Sequence, residues 1–416
     1  MAKVTKKSGL SLAAMALAAV GVLCLPRVTH GGGTQPPITI QSDSDFFACE
    51  CVFSGTGTKT DPYVIGPLTI NDVSGTAVSI DGTNLTRSFR LFNLTIAGKN
   101  ADTSFGIFLN HINASGTQDI VAEVTGVQTS IQTVGVGITV ENSSYVTLDG
   151  GGANPKGPGI AAQGAGTINR AVSGSIDVEN SSHITVRGWQ MSTSGASPEP
   201  NWITLDPGVQ YWDVGGVRLF GVRQSTLDHN AANNCTSASF SLFNSSTNVV
   251  SNNTADYPFT TNLLITDGSS YNLVIGNQFT TGDFFNYLVA DPLPGSSTLS
   301  TYGPSHDNVL SGNFSGVSGP TGTETHSNIV PAFMGGVIIL NGTYNNQITN
   351  NTIIGNLGWA QAVPDPSARI GVAAYPPLLH CNVTASEGGG GVGNLNGNVW
   401  SGNVGFHAMD PCIPEQ

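Results

Sequence analysis

The chain has 416 residues, of which 53 are Gly and only 10% are charged, with a formal net charge of −13. A hydrophobic fraction of 39% is enough to build a core, which excludes the disordered class of low hydrophobicity and high charge. The acidic balance repels phosphate backbones, so nucleic acid is excluded as a partner, whereas neutral ligands and divalent cations fit it.

The N-terminus reads as an export signal. Lys3, Lys6 and Lys7 precede an apolar run from Leu10 to Leu25, which Pro26 breaks before the small residues Gly31, Gly32 and Gly33. The run is short for a spanning helix. An uncleaved N-terminal anchor is the alternative that the same residues leave open. Leu23 stands before Cys24 where a lipoprotein signal wants a small residue, so no lipid anchor is expected. Removing residues 1–31 takes away four of the 14 basic residues and no acidic one, leaving 10 against 27 and a balance of −17. The mature chain is expected to be a secreted or cell-surface monomer with no membrane span. Export permits disulfides. Cys381 and Cys412 would tie down the C-terminal end, Cys49 and Cys51 are open to pairing with each other or with another loop, and Cys235 is expected to stay single as a small buried hydrophobe.

Beyond residue 75 the chain repeats itself. A short apolar strand, a polar Asn/Ser/Gly turn, a second short strand and a Gly or Asn recur. The clearest copies are Gly137 to Gly150 (GITVENSSYVTLDG) and Ser175 to Gly188 (SIDVENSSHITVRG). Further copies fall at 216–230, 239–253, 262–277, 305–313, 336–351 and 398–403. Their closing residues Asn230, Asn253 and Asn277 lie 23 and 24 residues apart, and Asn313, Asn351 and Asn403 follow at wider intervals. A period of this size with two or three short strands is one coil of a parallel β-helix: a lone coil cannot bury its apolar face, but stacked coils share a core. The expected inward column is Val140, Val178, Leu219, Leu242, Ile265 and Leu340. The expected outward column is Thr139, Asp177, Arg218, Ser241, Leu264 and Ile339. Turn Asn residues tolerate left-handed backbone and bond to one another in ladders, which also accounts for triplets such as Asn142-Ser-Ser and Asn180-Ser-Ser without glycosylation.

The run from Gly55 to Ile65 (GTGTKTDPYVI) resembles the opening segment of exported bacterial and archaeal right-handed β-helix proteins. The turns ending in Asn-Asn or Gly-Asn resemble the repeats of the NosD-like, carbohydrate-binding and sugar-hydrolase β-helix superfamily. The resemblance spans about residues 50–405 and implies an all-β, right-handed parallel β-helix (solenoid) with long loop insertions. It implies no single activity, since one fold hosts many functions. The expected organisation is a signal peptide (1–31), an N-terminal segment and cap (32–75), repeats (76–405) and a C-terminal tail (406–416).

Insertions are expected near 152–172, 190–212, 280–304, 314–334 and 355–395. Trp189, Trp202, Tyr211 and Trp212 cluster in and beside one of them, and flat aromatic faces stack on sugar rings, so these four are the candidate ligand contacts. Glu141, Asp177, Glu179 and Arg218 are expected on one outward patch and are the candidate catalytic residues. Glu141, Asp177 and Glu179 together are a candidate calcium site, and paired carboxylates alternatively suit acid–base hydrolysis. A solvated salt-bridged face is the plain alternative. Asp149, Arg187 and Asp228 form a second charged column, and His229 is expected to substitute for a turn Asn. The segment from Tyr302 to Asp307 resembles the Tyr-Gly…His-Asp motif of β-helix mannuronan epimerases but lacks its Phe-Asp-Pro arrangement, so no role is carried over to Tyr302, His306 or Asp307. Polygalacturonase carboxylate clusters, a phosphate-binding Gly loop, a nucleophile elbow and a His-Glu-x-x-His zinc motif are absent from the sequence. Two functions are therefore expected: a protein that binds extracellular polysaccharide or cell-surface glycan or serves as a surface rod, or a polysaccharide lyase or glycoside hydrolase, with calcium as the one cofactor considered.

Overall fold

The computed structural model describes residues 34–152, 167–171, 174–193, 215–235, 238–256, 258, 261–280, 285–290, 302–316, 335–340, 343–353, 359–363, 397–403 and 407–408. The export signal, Trp202, Tyr211, Trp212, Cys381 and Cys412 lie outside these residues. Among the described residues no helix is long and apolar enough to cross a membrane.

The strands are short because each alternates only two or three apolar side chains with polar ones before a turn. In Gly174–Glu179, Ile176 and Val178 are buried and face inward, while Asp177 and Glu179 face outward. Ile176 and Val178 pair in parallel with Ile138 and Val140 of Ser130–Glu141 on one side and with Val217 and Leu219 of Val217–Phe220 on the other. This pairing repeats from coil to coil and gives a 12-stranded and a 20-stranded sheet. The larger sheet makes two faces. Later coils supply two separate strands to it, such as Phe240–Phe243 and Thr254–Asp256, whereas Leu94–Asn110 runs through both faces with register shifts on the way. The chain is a right-handed parallel β-helix of three faces, the hand that parallel crossovers adopt.

At the N-terminal end, Asp43–Ala48 is a helix whose Ser42 and Asp45 form a capping box. It sets Phe46 into the core 5.0 Å from the Tyr63 ring and 6.2 Å from that of Phe89. Val52–Ser54 and Tyr63–Ile65 pair antiparallel beside it. Parallel stacking already begins in this segment, where Ile38–Ile40 pairs with Val78–Ile80. Cys49 and Cys51 are disulfide-bonded, and Cys235 is buried with its thiol in no disulfide.

Two Asn ladders run through the interior. One is the foreseen series Asn230, Asn253, Asn277, Asn313, Asn351 and Asn403, in which each Nδ2 donates to the next Oδ1 at 2.9–3.0 Å. The other, Asn248, Asn272, Asn308, Asn346 and Asn398, bonds in the same way at the preceding turn. At the turn after the first strand, Asn142, Asn180, Gly221 and Asn244 all have left-handed φ, between 46° and 67°. Asn tolerates this conformation and Gly adopts it freely, which explains their interchange in that column.

Three expectations need correction. The inward column runs Ile265, Val289, Ile339, not Leu340, and the outward one runs Leu264, Leu288, Ile338, not Ile339. The stretch from strand to ladder Asn is one residue longer in Ile265–Asn277 and Ile339–Asn351 than in Leu242–Asn253, and this displaces the register. The insertions are also smaller than expected. Thr167–Ala171, Gln190–Thr193, Phe285–Ala290, Phe314–Ser315 and Trp359–Val363 are strands of the larger sheet.

Candidate functional site

Four consecutive coils bring the outward residues of Ser130–Glu141, Gly174–Glu179, Val217–Phe220 and Phe240–Phe243 into two adjacent columns. Thr139, Asp177, Arg218 and Ser241 stand in one, and Glu141, Glu179, Phe220 and Phe243 in the other. Successive members are one strand spacing apart, about 4.8 Å. The second column continues upward through Asn110 to Asp81.

Arg218 organises the first column. Its Nε donates to Asp177 Oδ1 at 2.9 Å and one terminal nitrogen donates to Asp177 Oδ2 at 2.8 Å, a bidentate pair. The same terminal nitrogen donates to Glu179 Oε1. The guanidinium carbon lies 5.9 Å from the centroid of the Phe220 ring, within cation–π range. Although these residues point away from the core, Asp177 is only 7% exposed and Thr139 and Ser241 are buried. The Thr139 and Ser241 hydroxyls have no hydrogen-bond partner among the described residues. Buried polar groups are ordinarily satisfied, so two unpaired hydroxyls flanking an ion pair are an exception to the rule.

The carboxylates of the second column lie in an unfavourable field. Burial raises the Glu141 carboxyl above the ordinary glutamate range, and the Asp177 charge adds to it; His111 and Arg218 oppose both. Burial likewise raises Glu179, reinforced by Asp177 and Glu141 and opposed by Arg218. An acid raised in the folded state binds its proton more tightly there than in the unfolded chain. Stability therefore falls as pH rises from the unfolded to the folded value, and the penalty is complete above both. Glu141→Gln is accordingly expected to raise the thermal midpoint at pH 7 and to have no such effect below the ordinary glutamate range. Melting curves at both pH values check this, and an equal effect at both would refute it.

The column also carries half-buried aromatic rings at Phe220 and Phe243, and Tyr302, 52% exposed, meets Phe220 edge-on at 6.3 Å. All four candidate catalytic residues are thus brought together. Among the described residues no group of three or more His, Cys, Asp or Glu is arranged to hold a metal, and Arg218 already takes both oxygens of Asp177.

Trp189 is a correction. It is fully buried in the core, because it occupies the ladder position next to Asn230, whose Oδ1 accepts from the Trp189 backbone N–H at 3.1 Å. The indole packs the interior and offers no face to a ligand. The second charged column forms on the 12-stranded sheet. Arg187 meets Asp149 at 2.5 Å, and Asp228 accepts from Ser251 and Asn252 and meets His229 Nδ1 at 2.6 Å. His229 has a φ of 54° beside Asn252 at 53°, as expected of a turn substitute. At another corner His306 Nδ1 lies 2.7 Å from Asp307 Oδ2, and its ring stacks on Tyr344 at 4.7 Å. Sequence reasoning overlooked this stack because Tyr271, His306 and Tyr344 are far apart in the chain.

No protein-family model and no curated protein matches this chain. Among solved structures it is similar to DFA-IIIase from Arthrobacter chlorophenolicus A6, at 12% identity and a TM-score of 0.44, over 72% of this chain and 62% of that one. It is similar to the catalytic domain of an alpha-1,3-glucanase bound to nigerose, at 12% identity and a TM-score of 0.41, over 92% and 63%. It is also similar to a periplasmic alginate epimerase, at 11% identity and a TM-score of 0.32, over 85% and 76%. The chain thus spans less than two thirds of the first two, and likeness at this level concerns the fold alone.

Proposed function

We propose that this protein is exported and binds extracellular polysaccharide lengthwise along the outer strip of its β-helix. The observation that carries this reading is the column Glu141, Glu179, Phe220, Phe243, in which two carboxylates give way to two half-buried rings at strand spacing. Carboxylates accept from sugar hydroxyls, and aromatic faces stack on the apolar faces of sugar rings. The Thr139 and Ser241 hydroxyls lie alongside without a hydrogen-bond partner among the described residues. A ligand running parallel to the axis would meet the same kinds of group at each coil.

A second reading is favoured by the raised carboxyls of Glu141 and Glu179. A glycoside hydrolase needs one carboxyl that holds its proton near neutral pH and one that does not. Glu141 or Glu179 would be the acid and the other the base or nucleophile. A lyase would instead use Arg218 as base, but here Arg218 is held by Asp177 and Glu179.

Incubation of the purified protein with neutral and acidic polysaccharides separates the readings. Retardation without chain shortening is the expected result. Phe220→Ala should weaken it by about 1–2 kcal/mol, roughly five- to thirtyfold in Kd. Shortening that is lost in Glu179→Gln would establish the hydrolase instead, and new ultraviolet absorbance lost in Arg218→Ala would establish the lyase. Neither retardation nor turnover on any glycan would overturn the proposal.

A further inference from the structure

We propose that the strip selects polysaccharides bearing free amino groups and disfavours uronates. This rests on the glycan-binding reading above and specifies its substrate class. Among the described residues the strip holds Asp81, Glu141, Asp177 and Glu179 against a single guanidinium, Arg218; His111, beside Asp81, is the other basic group among them that acts on Glu141. Among the described residues one guanidinium therefore faces four carboxylates, on a chain whose formal charge is −13. Such a field attracts ammonium groups and repels carboxylate-bearing polymers.

Two observations argue for a ligand here, not merely for an acidic surface. The Thr139 and Ser241 hydroxyls, nine-tenths buried or more, are unpaired beside Asp177 and Arg218 and point to the same side of the sheet. The carboxylate column passes directly into Phe220 and Phe243, so a bound sugar could place its ring on an aromatic face and its amino group on a neighbouring carboxylate. A dehydrated metal ion is a poorer match, since among the described residues no carboxylate set is arranged to hold one. An ammonium group asks less: it donates three hydrogen bonds and needs no closed shell. The raised carboxyls of Glu141 and Glu179 agree, because like charge without enough counter-charge is the condition an ammonium group relieves.

The test titrates the purified protein, by calorimetry at low salt, with three oligosaccharides of equal length: a chito-oligosaccharide with free amino groups, its N-acetylated form, and an oligouronate. The free amine should bind on the order of tenfold tighter than the acetylated form, with the oligouronate weakest. The preference should shrink as salt is raised. Glu141→Gln and Glu179→Gln should each reduce it roughly two- to fivefold, with circular dichroism confirming the fold. Equal binding of the amino and acetylated forms, or tighter binding of the uronate, would overturn the inference while leaving glycan binding intact. A preference unchanged in the double variant would overturn it too, by assigning the effect to the general acidity of the surface. Binding of none of the three would sink both this inference and the reading beneath it.

Discussion

Asn253→Ala is expected to lower the unfolding free energy by about 3–5 kcal/mol, the cost of stranding several buried polar groups at once. Asn253 is fully buried and uses its whole amide. Its Nδ2 donates to Leu227 O and to Asn277 Oδ1, each at 3.0 Å. Its Oδ1 accepts from Asn230 N at 2.9 Å and from Asn230 Nδ2 at 3.0 Å. Alanine removes all four bonds and strands Asn230 N, Asn230 Nδ2, Leu227 O and Asn277 Oδ1 in the interior. The neighbouring Asn252 is the control. It is exposed, and its column holds Gly276 and Gly312 in the same left-handed conformation. Asn252→Gly should therefore change stability by no more than about 1 kcal/mol, losing mainly its bond to Asp228. Urea unfolding followed by circular dichroism compares the two. Equal midpoints would show that the ladder is incidental to stability.

Arg218→Ala is expected to cost a similar amount, about 3–5 kcal/mol, for a different reason. The pair it forms with Asp177 is nearly buried, with side-chain exposures of 16% and 9%. Removing the guanidinium leaves Asp177 charged and desolvated beside Glu179 and Glu141. The deficit should shrink as pH falls, because protonation neutralises the stranded carboxylates. Arg218→Lys should be intermediate, since an ammonium group keeps the charge but loses the two-pronged contact with Asp177. Stability measured at neutral and acid pH checks both points. A deficit independent of pH would mean that Arg218 acts through the packing of its stem against Phe220.

Much of this architecture is legible in the sequence because a β-helix is locally encoded. The alternation in GITVENSSYVTLDG fixes which side chains face inward, and the recurring Asn fixes where the coil closes. That is enough to place Glu141, Asp177, Glu179 and Arg218 together from the sequence alone. What escaped notice lacked these marks. Phe285–Ala290 is a full strand of the larger face, but no ladder Asn follows it closely, so it passed for an insertion. The third face is made of pieces as short as Gln278–Phe279, too brief to show alternation. The second Asn ladder sits inside the turns, where Asn is common for other reasons. Trp189 reads as part of a loop in the sequence because it is an aromatic residue directly after the Gly188 turn. Only the stacking reveals that it occupies an interior ladder position. The burial of the outward face at Asp177, Ser241 and Leu264 was likewise invisible, since strand alternation alone predicts solvent there.

One ligand is proposed to lie along the strip across successive coils. Hydrogen exchange with and without a bound oligosaccharide tests it most directly. Added protection is expected at the same position of consecutive coils, around Glu141, Glu179, Phe220 and Phe243, with little change on the 12-stranded face. Protection confined to the Tyr271, His306 and Tyr344 corner, or spread evenly over the chain, would contradict it.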